Sequence, residues 1–262
     1  MIDRFDLPDT KGSECEGKED TLKRIHSSAF QCTNQQEFKM NKAQPKISVT
    51  SKLDGIKSWS LQALDTCSGS IGANGELVDA CKGCYATTGN YRFANVKAPR
   101  EHNKEDWKNS DWISAMVQSL SDSRYFRWFD SGDVYSIELA EKILEVMQLT
   151  PWVNHWLPTR MHKFAKFRVV LEMMQALPNV VVRYSSDSVH GETVEGITTS
   201  TIVPSTDSVL PVGASLCGAY ANDGKCSGCR ACWSKTVSVV AYPAHGAKMK
   251  KVITLTVVKQ GV

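Results

Sequence analysis

Seven of the nine cysteines in this 262-residue chain fall into two groups along the sequence. The first group, called the three-cysteine group below, consists of Cys67, Cys81 and Cys84, and the second, the four-cysteine group, consists of Cys217, Cys226, Cys229 and Cys232. Grouped thiolates are ligands for metal sites. Four thiolates close every protein-ligand position of a cluster, whereas three leave one position free for a substrate or cofactor. The unequal numbers therefore predict one closed site and one open site.

The four-cysteine group favours an iron–sulfur cluster. Cys226, Cys229 and Cys232 are separated by two residues at each step. Such a run wraps around one face of a 4Fe–4S cluster, and a remote cysteine, here Cys217, completes the ligand set. Structural zinc usually takes paired ligands from two separate segments, so a third cysteine in the same run favours iron. Zinc stays open as the alternative.

The three-cysteine group is less regular, because thirteen residues separate Cys67 from Cys81. No simple motif fixes this spacing. A zinc site completed by a histidine, for which His102 and His245 are candidates, stays open, as does one site shared with the later cysteines. The interpretation favoured by the strand ends described below is a 4Fe–4S cluster with one iron free of protein ligands.

Charge and hydropathy indicate which partners and which cellular compartment to expect for this chain. The formal net charge is only +3, so charge alone predicts neither a nucleic-acid partner nor a membrane partner. No apolar run is long enough for a transmembrane helix, and the acidic, polar first residues lack the apolar core of a signal peptide. We therefore expect a cytoplasmic protein, where the reducing conditions favour metal ligands over disulfides.

Three regions are predicted along the chain. Residues 1–45 are polar and are expected to form a loosely ordered arm with one short helix near 21–30. Cys15 and Cys32 lie there and are expected to be ordinary free thiols. Residues 46–210 are expected to form an α/β domain that carries the three-cysteine loop. Residues 211–262 are expected to hold the four-cysteine segment and closing strands.

The middle of the chain alternates between strand and helix patterns. Strands are predicted at 46–52, 125–129, 153–157, 180–184, 201–204, 237–242 and 252–258, and helices at 105–120, 136–149 and 162–176. Ser136 is the expected N-cap of the second helix. Alternation with short links is typical of a parallel sheet, either open or part of a barrel.

Polar side chains follow three of the predicted strands. These residues are Asp130, Ser131 and Asp133 after the first strand, Thr159 and Arg160 after the second, and Arg183, Ser185, Ser186 and Asp187 at the end of the third. Ligands of parallel α/β proteins bind at the carboxyl ends of strands, so these residues are expected to line a cleft. Arg160 and Arg183 are candidates to hold a carboxylate or phosphate. Helix caps and surface ion pairs are the alternative interpretation.

Two short motifs resemble those of radical S-adenosylmethionine (SAM) enzymes. Cys81-Lys-Gly-Cys84-Tyr-Ala resembles the end of their cluster loop, and Ser131-Gly-Asp133 resembles the motif that holds the methionine amino group. A wider set resembles an uncharacterised family of phage and plasmid proteins over residues 46–240. It comprises Ser58-Trp-Ser-Leu, Thr66-Cys67, Arg127-Trp-Phe-Asp-Ser-Gly-Asp133, Leu157-Pro-Thr-Arg160 and Cys229-Arg-Ala-Cys232-Trp.

The radical SAM resemblance implies a partial (β/α) barrel. It also implies a 4Fe–4S cluster on the three-cysteine group whose open iron chelates the amino and carboxylate groups of SAM. Reductive cleavage would then give a 5′-deoxyadenosyl radical, and the four-cysteine cluster would be auxiliary. Ser131, Gly132, Asp133, Arg160, Arg183 and Ser185 are the expected cofactor-binding residues. The alternative is a non-catalytic iron–sulfur or zinc factor of a phage or plasmid that binds nucleic acid or a host protein in the bacterial cytosol.

Overall fold

A mostly parallel sheet of eight strands organises the chain in the computed structural model, which describes residues 42–259. The strands are β1 (Ile47–Val49), β2 (Lys57–Trp59), β3 (Tyr125–Trp128), β4 (Asn154–Thr159), β5 (Val180–Ser185), β6 (Thr199–Val203), β7 (Ala214–Leu216) and β8 (Val239–Pro243). Their order is β1-β2-β3-β4-β5-β6-β8-β7. Among the described pairs, β1 and β2 are antiparallel and the others are parallel. The predicted α/β class and parallel arrangement are confirmed.

Six α-helices accompany the sheet in the described residues, with short 3-10 turns between several elements. They are α1 (Asp79–Lys82), α2 (Ala94–Asp106), α3 (Trp112–Ser119), α4 (Ile137–Leu149), α5 (Arg168–Ala176) and α6 (Ala247–Lys259). The helix predicted at 136–149 is confirmed, and it begins at the expected cap. The Ser136 hydroxyl accepts a hydrogen bond from the Leu139 backbone N–H at 3.1 Å.

Two of the predicted elements are wrong. The helix expected at 105–120 is the end of α2 followed by the separate α3, and most of α2 lies before the predicted start. The strand expected at 252–258 is part of α6. The β-branched residues there favour a strand locally, but Met249 packs with Ala80 and Val189, and this contact holds the segment as a helix.

Helices cover one face of the sheet. Side chains of β2, β3, β4 and β5 on that face form a single apolar core with α3, α4 and α5. The largest of its fully buried members are Trp59, Trp112, Trp128, Phe126 and Phe167. Alternate residues of each strand point to this face, which we call the helix face.

The opposite face carries the cysteine segments and is called the cysteine face. A smaller apolar cluster there joins Trp156 of β4 to Trp233, Leu53 and Ile56. Cys226 and Cys232 pack against this cluster. In β3, Arg127 alternates with the buried Phe126 and Trp128, which places its side chain on the cysteine face.

The sheet continues beyond residue 210, because β7 and β8 extend it past β6. At the other end, the described part of the predicted arm is tied to helices. The backbone N–H groups of Gln44 and Lys46 donate to Asp106 Oδ1 and Asn103 Oδ1, each at 2.8 Å. The short helix predicted near 21–30, Cys15 and Cys32 lie outside the described residues.

Within residues 42–259, no helix has the length and apolar character needed to cross a membrane.

Candidate metal centre

Both cysteine groups face one pocket at the carboxyl ends of the parallel strands. The pocket has a volume of about 350 Å³. Six of the seven grouped cysteines line it: Cys67, Cys81, Cys84, Cys217, Cys226 and Cys232. The seventh, Cys229, is exposed and lies outside the lining. The chain segments that carry the two groups are therefore far apart in sequence but meet at the carboxyl ends of the strands.

The three-cysteine group lies in the connection from β2 to β3. Cys67 begins a 3-10 turn, and Cys81 lies in α1. The backbone N–H of Cys84 donates to the Cys81 carbonyl at 3.1 Å. Burial, and then the negative charges of Asp133 and the neighbouring thiols, raise the pKa of Cys67 to about 12. A thiol that ionises so reluctantly becomes a thiolate when a cation such as iron binds it.

Gly83 allows α6 to approach the Cys81–Cys84 turn. A Cβ atom on Gly83 would lie 2.6 Å from Met249 Cε and 2.8 Å from Met249 Cα. Such distances require the helix backbone to move, so a larger residue does not fit. The close packing fixes two of the three thiols against a helix that the sequence did not predict.

Asp133 is buried, and most of its acceptor positions are already used. Its Oδ1 accepts from Thr159 Oγ1 and from the Val134 backbone N–H, both at 2.8 Å. Its Oδ2 accepts from the Arg160 backbone N–H at 2.9 Å. A carboxylate has about four acceptor positions, so one on Oδ2 is left for a ligand. Burial raises the pKa of Asp133 to about 6, and the hydrogen bonds oppose this rise.

Ser131 and Gly132 line the pocket, but their contacts are mainly structural. Ser131 Oγ donates to the Leu61 carbonyl at 2.7 Å and accepts from Arg100 Nε at 2.5 Å. Gly132 has φ +79°, and a Cβ there would lie 2.6 Å from Leu61 Cβ. Both residues therefore fix the turn that presents Asp133.

Arg160 also lines the pocket, and its guanidinium contacts Ser186 and Asp187. Its Nη2 donates to the Ser186 carbonyl at 2.8 Å, and its Nε lies 3.3 Å from Asp187 Oδ1. Burial raises the pKa of both Cys81 and Cys84, and the positive charge of Arg160 opposes this rise. Arg160 is thus placed beside the three-cysteine group. Ser185 lines the same pocket, as expected.

Arg183 has a different role from the one predicted, because it is fully buried and lies outside the pocket lining. Its guanidinium donates to five backbone carbonyls at 2.8–3.1 Å: those of Thr199, Ala231, Cys232, Ser234 and Val237. These contacts occupy the side chain, so it offers no face to a carboxylate or phosphate. The expectation that Arg183 binds an anion is corrected: Arg183 holds the segment around Cys232 on the sheet.

The four-cysteine group is held on its outer side by Asp54. Cys217 directly follows β7, and the other three members lie between β7 and β8. Asp54 accepts from the backbone N–H groups of Ser227 at 3.1 Å and Gly228 at 2.9 Å, and from Arg230 Nη1 at 2.8 Å. The backbone between Cys226 and Cys229 is therefore fixed by a carboxylate from the β1–β2 connection.

Two further residues on the pocket wall were not singled out from the sequence. Arg127 pairs with Asp130 at 2.9 Å, and its guanidinium lies 4.6 Å from the centre of the Trp156 ring. Tyr242 places its hydroxyl 3.2 Å from Cys232 Sγ. The sequence could have indicated Arg127, because a charged residue lies there between two aromatic residues of one predicted strand. No sequence pattern indicated Tyr242.

Within the described residues, no three His, Cys, Asp or Glu side chains are arranged to hold a single metal ion. A four-iron cluster does not require such a group, because each thiolate binds a different iron. The donor set facing the pocket is rich in thiols, and arginines near both groups partly oppose the rise in thiol pKa that burial causes. Of the two candidate histidines, His245 lines the pocket, whereas His102 Nε2 contacts the Gln44 carbonyl at 2.9 Å. The residues present fit a cluster.

The fold and pocket define an α/β protein with two cysteine groups facing one cavity. The family model described as Gene product 88 matches residues 22–252, so the chain belongs to this phage-type family. The family prediction is confirmed to that extent, and the match carries no statement on cofactor or reaction. No curated protein and no solved structure shows significant similarity to the chain.

Proposed function

We propose that this protein is an iron–sulfur enzyme of the radical SAM type. The three-cysteine group would hold a 4Fe–4S cluster with one open iron, and the four-cysteine group would hold an auxiliary 4Fe–4S cluster. When bound, the first cluster supplies an electron and an iron that can chelate SAM. The observation that carries the proposal is the shared pocket, which six of the seven grouped cysteines line at the carboxyl ends of the strands.

The architecture supports a partial (β/α) barrel. Helices α3, α4 and α5 pack on one face of the parallel sheet, and the pocket lies on the other. In barrels of this kind the helices form the outer layer, and residues after the strands form the site. The antiparallel β1 closes one edge of the strand order.

Two residues would orient SAM beside the open iron. The remaining acceptor position on Asp133 Oδ2 suits the methionine amino group, which donates hydrogen bonds. Arg160 lines the same part of the pocket and suits the methionine carboxylate. The buried position of Asp133 keeps water from competing for that acceptor.

The first test measures metal content and then SAM cleavage in anaerobically purified protein. Two four-iron clusters give about eight irons per chain with matching acid-labile sulfide. With a reductant present, the protein is expected to cleave SAM to methionine and 5′-deoxyadenosine. Zinc without sulfide would overturn the proposal in favour of a zinc-stabilised binding protein.

Asp133→Asn is expected to lose SAM cleavage while both clusters remain, because the amide offers a donor where the amino group needs an acceptor. Asp122→Asn is the matched control, since Asp122 is an exposed carboxylate paired with Lys57. Unchanged cleavage in Asp133→Asn would remove this carboxylate from the mechanism. Intact clusters with no SAM cleavage in the unaltered protein would instead select the non-catalytic phage factor.

A further inference from the structure

A string of four aromatic rings lies beside the pocket, and three of them, Tyr85, His245 and Tyr220, line its mouth. The ring centroids of Tyr91 and Tyr85 are 5.5 Å apart, those of Tyr85 and His245 are 5.9 Å apart, and those of His245 and Tyr220 are 5.5 Å apart. Tyr85 directly follows Cys84, and Tyr220 lies in the turn after Cys217. The string therefore connects the three-cysteine side of the pocket to the four-cysteine side.

Three rings of this string are open to solvent although they line the pocket. Tyr85 is 40% exposed and Tyr220 is 42% exposed, and His245 is also exposed. Most other aromatic residues of the described chain pack in the two cores. Exposed rings beside a cavity offer stacking surface to a planar ligand.

Positive charge flanks the rings on both sides. Lys52 lines the pocket next to the four-cysteine segment, where the Cys226 backbone N–H donates to its carbonyl at 2.8 Å. Lys248 lies next to the three-cysteine group, with its Nζ 3.0 Å from Thr87 Oγ1. Neither lysine has a carboxylate partner among the residues that the structure describes. Both charges are therefore available to an anion.

We propose that the pocket mouth binds a single-stranded nucleic acid. An unpaired base would stack on Tyr220 and His245, and the flanking phosphates would lie near Lys52 and Lys248. Stackable rings between unpaired cations suit a strand, whose bases are planar and whose backbone is anionic. A duplex keeps its bases stacked inside, so it cannot use the rings. This inference rests on the proposed function, because it makes single-stranded nucleic acid the substrate class of the proposed enzyme.

Binding is tested by fluorescence anisotropy with short labelled single-stranded DNA and RNA and the anaerobic full-length protein. We expect affinity for a single strand to exceed affinity for the matching duplex and to fall with salt. Tyr220→Ala and His245→Ala are each expected to weaken binding about tenfold, which is the cost of losing one stacking contact. Lys52→Ala is expected to reduce the salt dependence by about one phosphate contact.

Two control variants match the test variants. Trp152→Ala removes an aromatic residue that is 48% exposed, but Trp152 precedes the amino end of β4, whereas the pocket lies at the carboxyl ends of the strands. Lys166→Ala removes an exposed lysine just before α5. Both are expected to leave binding unchanged. Equal losses in the control variants would show unspecific attraction and overturn the inference.

The remaining outcomes separate this inference from the proposed function. If Tyr220→Ala and His245→Ala weaken only SAM binding, the rings hold the adenine of SAM and the inference is overturned. If the oligonucleotide binds through these rings in protein that lacks iron or SAM cleavage, the inference stands and the proposed enzyme fails. If both activities are present, oligonucleotide binding is expected to survive Asp133→Asn, which acts on SAM.

Discussion

The two faces of the sheet are held together by different forces. The helix face is an apolar core in which Trp59 packs edge to face against Trp112 and Trp128, at centroid distances of 5.5 and 6.1 Å. On the cysteine face, loops are held by charged side chains that donate to or accept from the backbone. Arg183 and Asp54 supply most of these contacts to the four-cysteine segment. The helix face therefore owes its stability to burial, and the cysteine face depends on a few polar residues.

The difference explains how a chain of this size presents so many thiols. Loops that carry metal ligands contain few apolar residues, so they cannot fold by burial alone. The buried Arg183 guanidinium and the partly exposed Asp54 carboxylate add support beside the small apolar cluster of this face. The loop around Cys232 is attached to the sheet by hydrogen bonds from the Arg183 guanidinium to its backbone carbonyls.

The largest effect is expected from Arg183→Met, which leaves five carbonyls of the cysteine face without their buried donor. Loss of a buried, fully bonded charge of this kind costs about 3–5 kcal/mol. The free energy of unfolding, measured by urea titration of metal-free protein, should fall by this amount. Iron content should fall to the share held by the three-cysteine group.

Arg168→Met is the matched control, because Arg168 is exposed on α5 and pairs with Glu172 at 2.9 Å. The stability and iron content of Arg168→Met should match those of the unaltered protein. Arg183→Lys keeps the charge but loses the planar donor geometry, so it should fall between the two. Full iron content in Arg183→Met would show that the proposed metal-binding loop does not depend on this residue.

The helix face was largely predictable from the sequence, and the reason is periodicity. In β3, buried Phe126 and Trp128 alternate with Tyr125 and Arg127, and α4 shows both an apolar stripe and its Ser136 cap. These local patterns agree with the final packing. Helix α6 was not predictable, because its β-branched residues prefer a strand and only contacts made far along the chain decide otherwise.

On the cysteine face, the sequence indicated most of the pocket-lining residues but not the residues that support them. Spacing identified the seven cysteines, and the strand-end rule placed Asp133 and Arg160 at the pocket. The same rule failed for Arg183, because a sequence does not show which strand end is covered by a later loop. The contact from Asp54 to Gly228 joins residues 174 positions apart, and no local pattern encodes it.

A smaller effect is expected on the helix face, from acid. His155 is fully buried in β4, where Nδ1 accepts from Trp128 Nε1 at 3.3 Å. Thr150 donates its hydroxyl to the Val146 carbonyl, so His155 Nε2 must be the donor to Thr150, at 2.9 Å. Protonation would point a second N–H at the indole donor. Burial accordingly lowers the pKa of His155 to about 3.

The sign of the pH dependence follows from this lowered pKa. In the unfolded chain His155 takes up a proton below about pH 6.5, whereas the folded protein resists until about pH 3. Stability from the neutral imidazole is complete above pH 6.5 and is lost as pH falls, at up to about 1.4 kcal/mol per pH unit. Between pH 6.5 and 4.5 the free energy of unfolding should fall by about 2 kcal/mol more in the unaltered protein than in His155→Gln. Equal acid dependence would contradict the assigned protonation state.

The smallest effect is expected from Asp54→Ala on the cysteine face. The substitution frees the N–H groups of Ser227 and Gly228 and the side chain of Arg230, but all of these reach solvent and can bond to water. Global stability should barely change, whereas the turn before Cys229 should become more mobile. We expect faster alkylation of Cys229 in metal-free protein and faster loss of iron to a chelator, measured by mass spectrometry and absorbance. Asp122→Ala, which removes a more exposed, lysine-paired carboxylate on another loop, should change neither rate. Unchanged rates in Asp54→Ala would mean that the turn before Cys229 is held by Arg183 and the cysteines themselves. Asp54 would then have no separate role in holding the four-cysteine segment.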